Sequence, residues 1–468
     1  MEILPLPLSP DDESYLNGVR RLVDYARTQR GLDVWIMQSA NRIATGDCGI
    51  RDPRRRPYWV MNAQGQVDLN PADPKQFKKI MQSREALYRI VNNADGYVTI
   101  DSDPGGWPQS PLGDFLKIFK ASREIIDRTN VHGRRAKLIN WLWNGWSWKP
   151  DSGQSQPDFL RATIRAMKRE LPEPWWLIAG KRELLPACQT EGVLSKTVYL
   201  PYNVIEGEPS RPETQHDFPL LREYLDEVEH YPGLAGLMGN VQTPLLQFPH
   251  VAHFLASAWD KTARARSPQK LLRDLAGWIY PEKQNLLADA WMALSPSSHV
   301  SAGRLAQRLE RSRLGRPGIL GRKLFPRPPQ IAPDLVWQLK VWAAFEAFRQ
   351  AATSRAGRAS CAARLETFLD AALTWDARHG WSEYWHKLGT PWDVAPHHNQ
   401  PQNIRAYEQT IAALRKKLGG GRTNASVVAA FLLPIGRRLE RKHDPWIVTH
   451  CGIEPLQKAL LKPKTKKR

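Results

Sequence analysis

The sequence has no CxxC pair, and its four cysteines, Cys48, Cys188, Cys361 and Cys451, lie far apart. That spacing excludes a structural zinc motif and a dense disulfide framework, and leaves simple buried or free thiols. No apolar run approaches the length of a membrane-spanning helix. The opening residues, MEILPLPLSPDDE, have no basic region and no long apolar stretch, so they do not read as a secretory signal. A phosphate-binding glycine loop with lysine is missing, as are HxH and HExxH pairs. No metal and no cofactor is therefore expected. A repeat of fixed period is also lacking, which excludes a solenoid.

What is present fits a folded protein. Hydrophobic residues make up 42% and charged residues 24% of 468 residues, enough apolar content to bury a core. The formal net charge is +20, which raises a nucleic-acid hypothesis. The excess is dispersed, with a run at Arg54, Arg55 and Arg56, a looser one from Arg304 to Arg327, and the tail KPKTKKR. A solvated basic surface with a disordered tail explains it equally. Tryptophan is over-used, with nineteen residues, many of them where strands are expected to end.

The first two-thirds alternates helices and apolar strands. Ser9 caps a helix that begins at Pro10 and ends at Gly31. LDVWIMQS (32–39) follows as a buried strand. Asp73 and Pro74 open a second helix, broken by Gly96, and YVTIDSD is the next strand. A helix from about Pro111 to Arg128 leads to KLINWLW (137–143), and one near Pro157 to Leu171 leads to WWLIAG (175–180). TVYLPYN (197–203) follows after a less regular connection. A helix carrying Phe218, Leu221 and Leu225 leads to LAGLMGN (234–240), and a last helix runs from about Phe248 to Trp259. The stretch YWVMNAQGQV (58–67) reads as an elaborated hairpin. Strands apolar on both faces, alternating with helices, mark a parallel α/β sheet. Six strands are visible, where a closed barrel of this type has eight. Two architectures fit: a doubly wound open sheet, or a (β/α)8 TIM-type barrel lacking its first two strands in this chain. The start on a helix favours the second, in which case the chain is truncated at its N-terminus. An upstream signal would then make the protein secreted or periplasmic, and otherwise it is cytoplasmic. The expected division is a barrel catalytic domain over 1–265 and an all-helical C-terminal domain over 266–460. The latter has a Pro/Gly/Arg-rich linker at 315–330, and a basic disordered tail follows at 461–468.

In such a barrel the chemistry sits at the strand C-termini. Asp101 and Asp103 are two apart, so on a strand both leave on one face. Two close carboxylates repel, which raises one pKa and suits a general acid beside a charged partner. The bland alternative is a DPGG turn in which one aspartate caps backbone amides. Trp107, Trp143 and Trp146 are candidate platforms for sugar rings, with Trp141 and Trp148 nearby; each of these indoles is as readily a core residue. Asn41, Arg42, Asn144, Tyr202, Asn203 and Asn240 stand at strand ends, where they would bond substrate hydroxyls. Glu206 and Glu208 are alternative second carboxylates, or simply solvated loop residues.

The run DSDPGGWP, KLINWLWNGW, VYLPYNVIEGEP and GLMGNVQTPLLQFPHVAHFLASAWD resembles the later half of a glycoside hydrolase barrel. It is most similar to the hexosaminidase-type families 20 and 84, over roughly residues 30–290. The resemblance implies a carboxylate pair after the fourth strand, with LDVWIMQS as the third strand and YVTIDSD as the fourth. It also implies aromatic and Asn groups after later strands and a helical domain beyond the barrel. Those families carry adjacent acids, whereas here Ser102 separates Asp101 from Asp103. Adjacent strand residues point oppositely, so the substrate-assisted geometry does not carry over, while two-carboxylate glycosidase chemistry does.

The expectation is therefore a glycosidase acting on an oligo- or polysaccharide. Asp103 is the general acid and Asp101 its charged or substrate-orienting partner. A non-catalytic carbohydrate-binding barrel is the alternative. A basic nucleic-acid-associated protein is a third, disfavoured because acids at the strand ends repel phosphates. No membrane partner is expected.

Overall fold

In the computed structural model the described residues are 6–44, 66–101, 111–143, 155–201, 218–239, 244–324 with short gaps near 297, and 331–353, plus a few to 371. They form two compact units. One comprises Met1–Tyr202 with Asp226–Met238, and the other Asn203–Leu225 with Gly239–Arg468.

The chain runs α1 (Pro10–Arg30), β1 (Trp35–Ser39), β2 (Arg42–Ala44), β3 (Gln66–Asp68), α2 (Pro74–Ile90), β4 (Gly96–Ile100), α3 (Leu112–Thr129), β5 (Lys137–Leu142) and α4 (Gln156–Glu170). It continues with β6 (Trp175–Ala179), α5 (Leu184–Thr190), β7 (Thr197–Tyr199), α6 (Phe218–Val228), β8 (Gly236–Leu237) and α7 (Pro244–Trp259). Then come α8 (Lys261–Ala265), α9 (Pro268–Ile279), α10 (Gln284–Met292), α11 (Ala302–Arg311), α12 (Ile319–Leu324) and α13 (Ile331–Thr353).

Local signals account for the helix starts. Ser9 and Asp12 form a reciprocal capping box on α1, and Gly31 ends that helix at φ 62°. The carboxylate of Asp73 accepts from Lys75 N and Gln76 N at the start of α2. That helix ends at Ile90, before the expected break at Gly96. Gly96 instead opens β4, where a Cβ would lie 2.9 Å from Ile139 Cδ1 and 3.1 Å from Trp35 Cδ1. A side chain there would collide with two neighbouring strands.

The six strands expected from the sequence form one sheet, ordered β1-β4-β5-β6-β7-β8, with every pairing parallel. A doubly wound sheet reverses direction at a switch point; this order has no reversal. The sheet is of the barrel-like, singly wound kind, with six strands among the described residues. The strands are shorter than expected: β4 stops at Ile100, β7 at Tyr199 and β8 at Leu237. Of the expected hairpin, Gln66 and Val67 are described, and they pair antiparallel with Ala44 and Ile43.

The sheet has two distinct faces. One carries Val98, Ile100, Ile139, Trp141, Ile178, Val198 and Leu200 as a buried cluster. Tyr97, Thr99 and Asn140 stand on the other, where they meet Val91, Arg84 and Met167 from the helical connections.

Helices are the regular elements among the described residues of the second unit. Its core includes Leu287, Leu305, Leu339, Trp342 and Phe348, together with Phe218 of α6. The helix α7, expected to close the barrel, belongs to this unit by its packing on α8 and α9. The expected linker at 315–330 carries α12, and residues 325–330 lie outside the described residues.

Candidate functional site

Asp101, Trp143, Asn41 and Arg42 are described. Asp103, Trp107, Asn144, Trp146, Tyr202, Asn203 and Asn240, as well as Trp148, Glu206 and Glu208, lie outside the described residues.

Asp101 follows β4 directly. Its N–H donates to Trp141 O at 3.1 Å, so the ladder between β4 and β5 runs one residue past the strand. The side chain is fully enclosed, at 0% exposure. Its Oδ1 accepts from Trp143 N at 3.0 Å. A buried carboxylate thus fixes the backbone at the C-terminal end of β5. It stands in register with Tyr97 and Thr99, on the side of the sheet that meets the helical connections.

Trp143 is half-buried at the end of β5. Its indole meets Trp141 edge to face, with ring centroids 6.1 Å apart and planes at 76°. It packs beside the apolar cluster of the sheet. Gly180, just past β6, admits it: a Cβ there would lie 2.6 Å from Trp143 Cε3 and 2.8 Å from Leu142 O. Trp35 and Trp176 make a second edge-to-face pair, at 5.8 Å and 69°. Lys137 Nζ stands 4.9 Å from the Trp176 ring. The abundance of tryptophan is thus partly spent on lining one face of the sheet, Trp141 as core and Trp143 as its half-open margin.

Asn41 and Arg42 are tied into the wall. Asn41 is enclosed, and its amide donates to Leu69 O at 2.9 Å. Arg42 holds Asp68 in a bidentate pair, Nε to Oδ1 at 2.7 Å and Nη2 to Oδ2 at 2.9 Å. In this geometry both help hold the excursion after β1 in place.

One residue escaped the sequence reading. Arg84 of α2 is wholly buried and donates to Ser39 O at 2.8 Å and Ala40 O at 3.0 Å. It also reaches Thr99 Oγ1 and Tyr88 OH, each at 3.1 Å. Its guanidinium therefore secures the C-terminal end of β1 from beneath. The signal was available: Arg84 shares helical spacing with the buried Ile80, Leu87 and Tyr88. Arginine at a core position of an amphipathic helix points to an internal backbone anchor.

Among the described residues no group of His, Cys, Asp and Glu is arranged to hold a metal ion. No helix among them is long and apolar enough to cross a membrane. Cys188 is a buried thiol on α5, pushed up to about 11 by burial, so it is no nucleophile at neutral pH.

No protein-family model and no curated protein matches the sequence. Among solved structures the chain is similar to a GH138 enzyme targeting pectin rhamnogalacturonan II. The identity is 10% and the TM-score 0.38, with 88% of this chain and 66% of that chain covered. The chain thus spans just under two-thirds of that protein's length, and the likeness assigns no residue a role here.

Proposed function

We propose that this chain is a glycoside-hydrolase-like enzyme whose site lies at the C-terminal ends of the parallel strands. The observation that carries the reading is Asp101. It is an enclosed carboxylate one residue past β4, bonded to the backbone of a half-buried tryptophan at the next strand end. Barrel-type sheets place their chemistry at this end. The enclosed carboxylate holds the backbone that carries the indole, and a half-buried indole at a strand end suits a sugar ring, whose C–H face packs on the aromatic.

In this reading Asp103 is the general acid and Asp101 its charged partner, which acts from beneath the site by holding the backbone of Trp143. Trp107, Trp146, Tyr202, Asn203, Asn144 and Asn240 complete the cleft as sequence-based candidates. Asn41 and Arg42 support its wall.

The test uses the full-length protein against a panel of aryl glycosides, with Asp101→Asn and Asp103→Asn. Loss of general acid–base assistance lowers turnover by roughly 10²–10⁴-fold. Wild-type turnover that survives undiminished in both variants removes the hydrolase assignment. A second reading, a barrel that binds carbohydrate without cleaving it, is favoured by the enclosure of Asp101 and its bond to Trp143 N. It expects oligosaccharide binding with no turnover in the wild type.

A further inference from the structure

The second unit contains a cavity of about 570 Å³, within the range of small-molecule sites. Tyr280, Ser312, Arg313, Gly315, Pro317 and Trp337 are among the residues around it. Its wall is the glycine-rich stretch GRPGILG, which is firmly seated on α9 and the turn after it. Gly315 has φ 80°, and a Cβ there would fall 2.4 Å from Glu282 Oε2. At Gly318 a Cβ would fall 2.4 Å from Trp278 O, and its N–H donates to Ile279 O at 2.7 Å. At Gly321 a Cβ would meet Ile279 O at 2.7 Å. Gly318 and Gly321 thus let one backbone lie directly on another, while Gly315 makes room for the Glu282 carboxylate.

Arg313 lines this cavity, the Glu282 carboxylate lies against Gly315 at its edge, and the chain segments beside it are rich in arginine. Arg304, Arg308, Arg311, Arg313 and Arg316 are all exposed, and none has an ion-pair partner among the described residues. The one lining acid, Glu310, is already neutralised by Lys340 at 2.9 Å. Lys340 Nζ in turn stands 4.9 Å over the Trp337 ring, which helps fix the indole. The cavity therefore combines an aromatic wall with an uncompensated guanidinium at Arg313 and further arginines leading away from it.

We propose that this cavity is a binding site for an acidic sugar unit, a uronate within a polyanionic glycan. The ring packs on Trp337, the carboxylate takes the guanidinium fork of Arg313, and the remaining arginines meet neighbouring carboxylates. The net charge of +20 favours such a polyanion at long range. Nucleic acid fits less well. Single strands are held by successive bases stacking on several aromatics, whereas of the aromatics lining this cavity Tyr280 is 2% exposed and Trp337 alone is partly open. The proposal rests on the carbohydrate reading above but not on catalysis.

The experiment is calorimetric titration of the full-length protein with tetramannuronate and tetragalacturonate, against neutral mannotetraose and galactotetraose, with a thymidine dodecamer as a second polyanion. At least one uronate is expected to bind, about ten-fold or more above its neutral counterpart, given what a charge-assisted hydrogen bond contributes. Trp337→Ala and the surface variant Arg313→Gln each weaken it, while Arg165→Gln, on the exposed face of α4 in the first unit, leaves it unchanged. Failure of both uronates to bind the wild type overturns the proposal. So does uronate binding that Arg313→Gln leaves intact, or binding no tighter than that of the dodecamer. If uronate binds while aryl glycosides are not cleaved, the hydrolase reading fails alone; if they are cleaved without uronate binding, this proposal fails alone.

Discussion

Among the described residues of the first unit three side chains of the Arg, Lys, Asp and Glu class are almost wholly enclosed: Arg84, Asp101 and Arg123. In the second, the buried polar groups among the described residues are His250, His253, Ser257, Ser295 and Gln338. The difference follows from how each architecture satisfies its backbone. A helix bonds internally and leaves only its ends open, and the second unit closes such ends with the surface caps Asp260, Ser267 and Ser301. A parallel sheet leaves backbone groups inside the protein wherever a strand meets its loop. Each enclosed charge sits at such a place. Arg84 takes Ser39 O and Ala40 O after β1, Arg123 takes Ala136 O before β5, and Asp101 takes Trp143 N after β5. Asp101, the enclosed charge of the candidate site, is thus also a group that satisfies a strand end.

The sharpest way to break this comparison is Arg84→Met. It keeps the length of the side chain but leaves Ser39 O, Ala40 O and Thr99 Oγ1 without that donor. Several unmet buried acceptors, each costing roughly 1–3 kcal/mol, put the loss near 4 kcal/mol. Hydrogen–deuterium exchange should show protection falling in β1 and β4 and unchanged in α9 to α13. The counterpart is Leu339→Ala, at a fully buried position of the helical core. It should cost about 3 kcal/mol and act on the second unit alone. If Arg84→Met leaves β1 and β4 as protected as before, the enclosed guanidinium is not what ends the strand.

Gly180→Ala tests the same strand end by volume instead of charge. The added methyl meets a backbone oxygen and the Trp143 ring together. Overpacking of this kind costs about 2 kcal/mol, and it should shift Trp143 and reduce any turnover on aryl glycosides. A variant with wild-type stability and turnover would show that the indole has room the geometry denies it.

The contrast between units also explains what could be read from sequence. The alternation of apolar strands with capped helices was legible because each signal is local: Ser9, Gly31 and Asp73 act within a few residues of themselves. Strand ends were less legible. In a parallel sheet they depend on partners distant in sequence, such as the Asp101 bond to Trp143 across 42 residues. Asp101 was recognised by residue type and position, but its backbone bond was only one of the alternatives. Asn41 and Arg42 were recognised as strand-end polar residues, yet their partners, Leu69 and Asp68, lie well downstream in the chain. Within the Pro/Gly/Arg-rich stretch 315–330, Gly318 and Gly321 serve close backbone packing on the end of α9, a role that depends on a segment some forty residues upstream and that composition does not reveal.

The smallest effect is expected at Arg42–Asp68, which sharpens the comparison by holding location near the site while changing burial. This pair ends a strand excursion as Arg84 does, and its geometry is bidentate. Its side chains, however, are 23% and 28% exposed, against 0% for Arg84. Water can take up what either partner loses, and salt screens the attraction. A double-mutant cycle of Arg42→Ala and Asp68→Ala, read by exchange in β2 and β3, should therefore give a coupling of about 1 kcal/mol or less. That coupling should shrink further as salt is raised. A coupling of several kcal/mol that ignores salt would mean that enclosure is not what separates these two arginines. The strength of a strand-end anchor would then lie in its bidentate geometry alone.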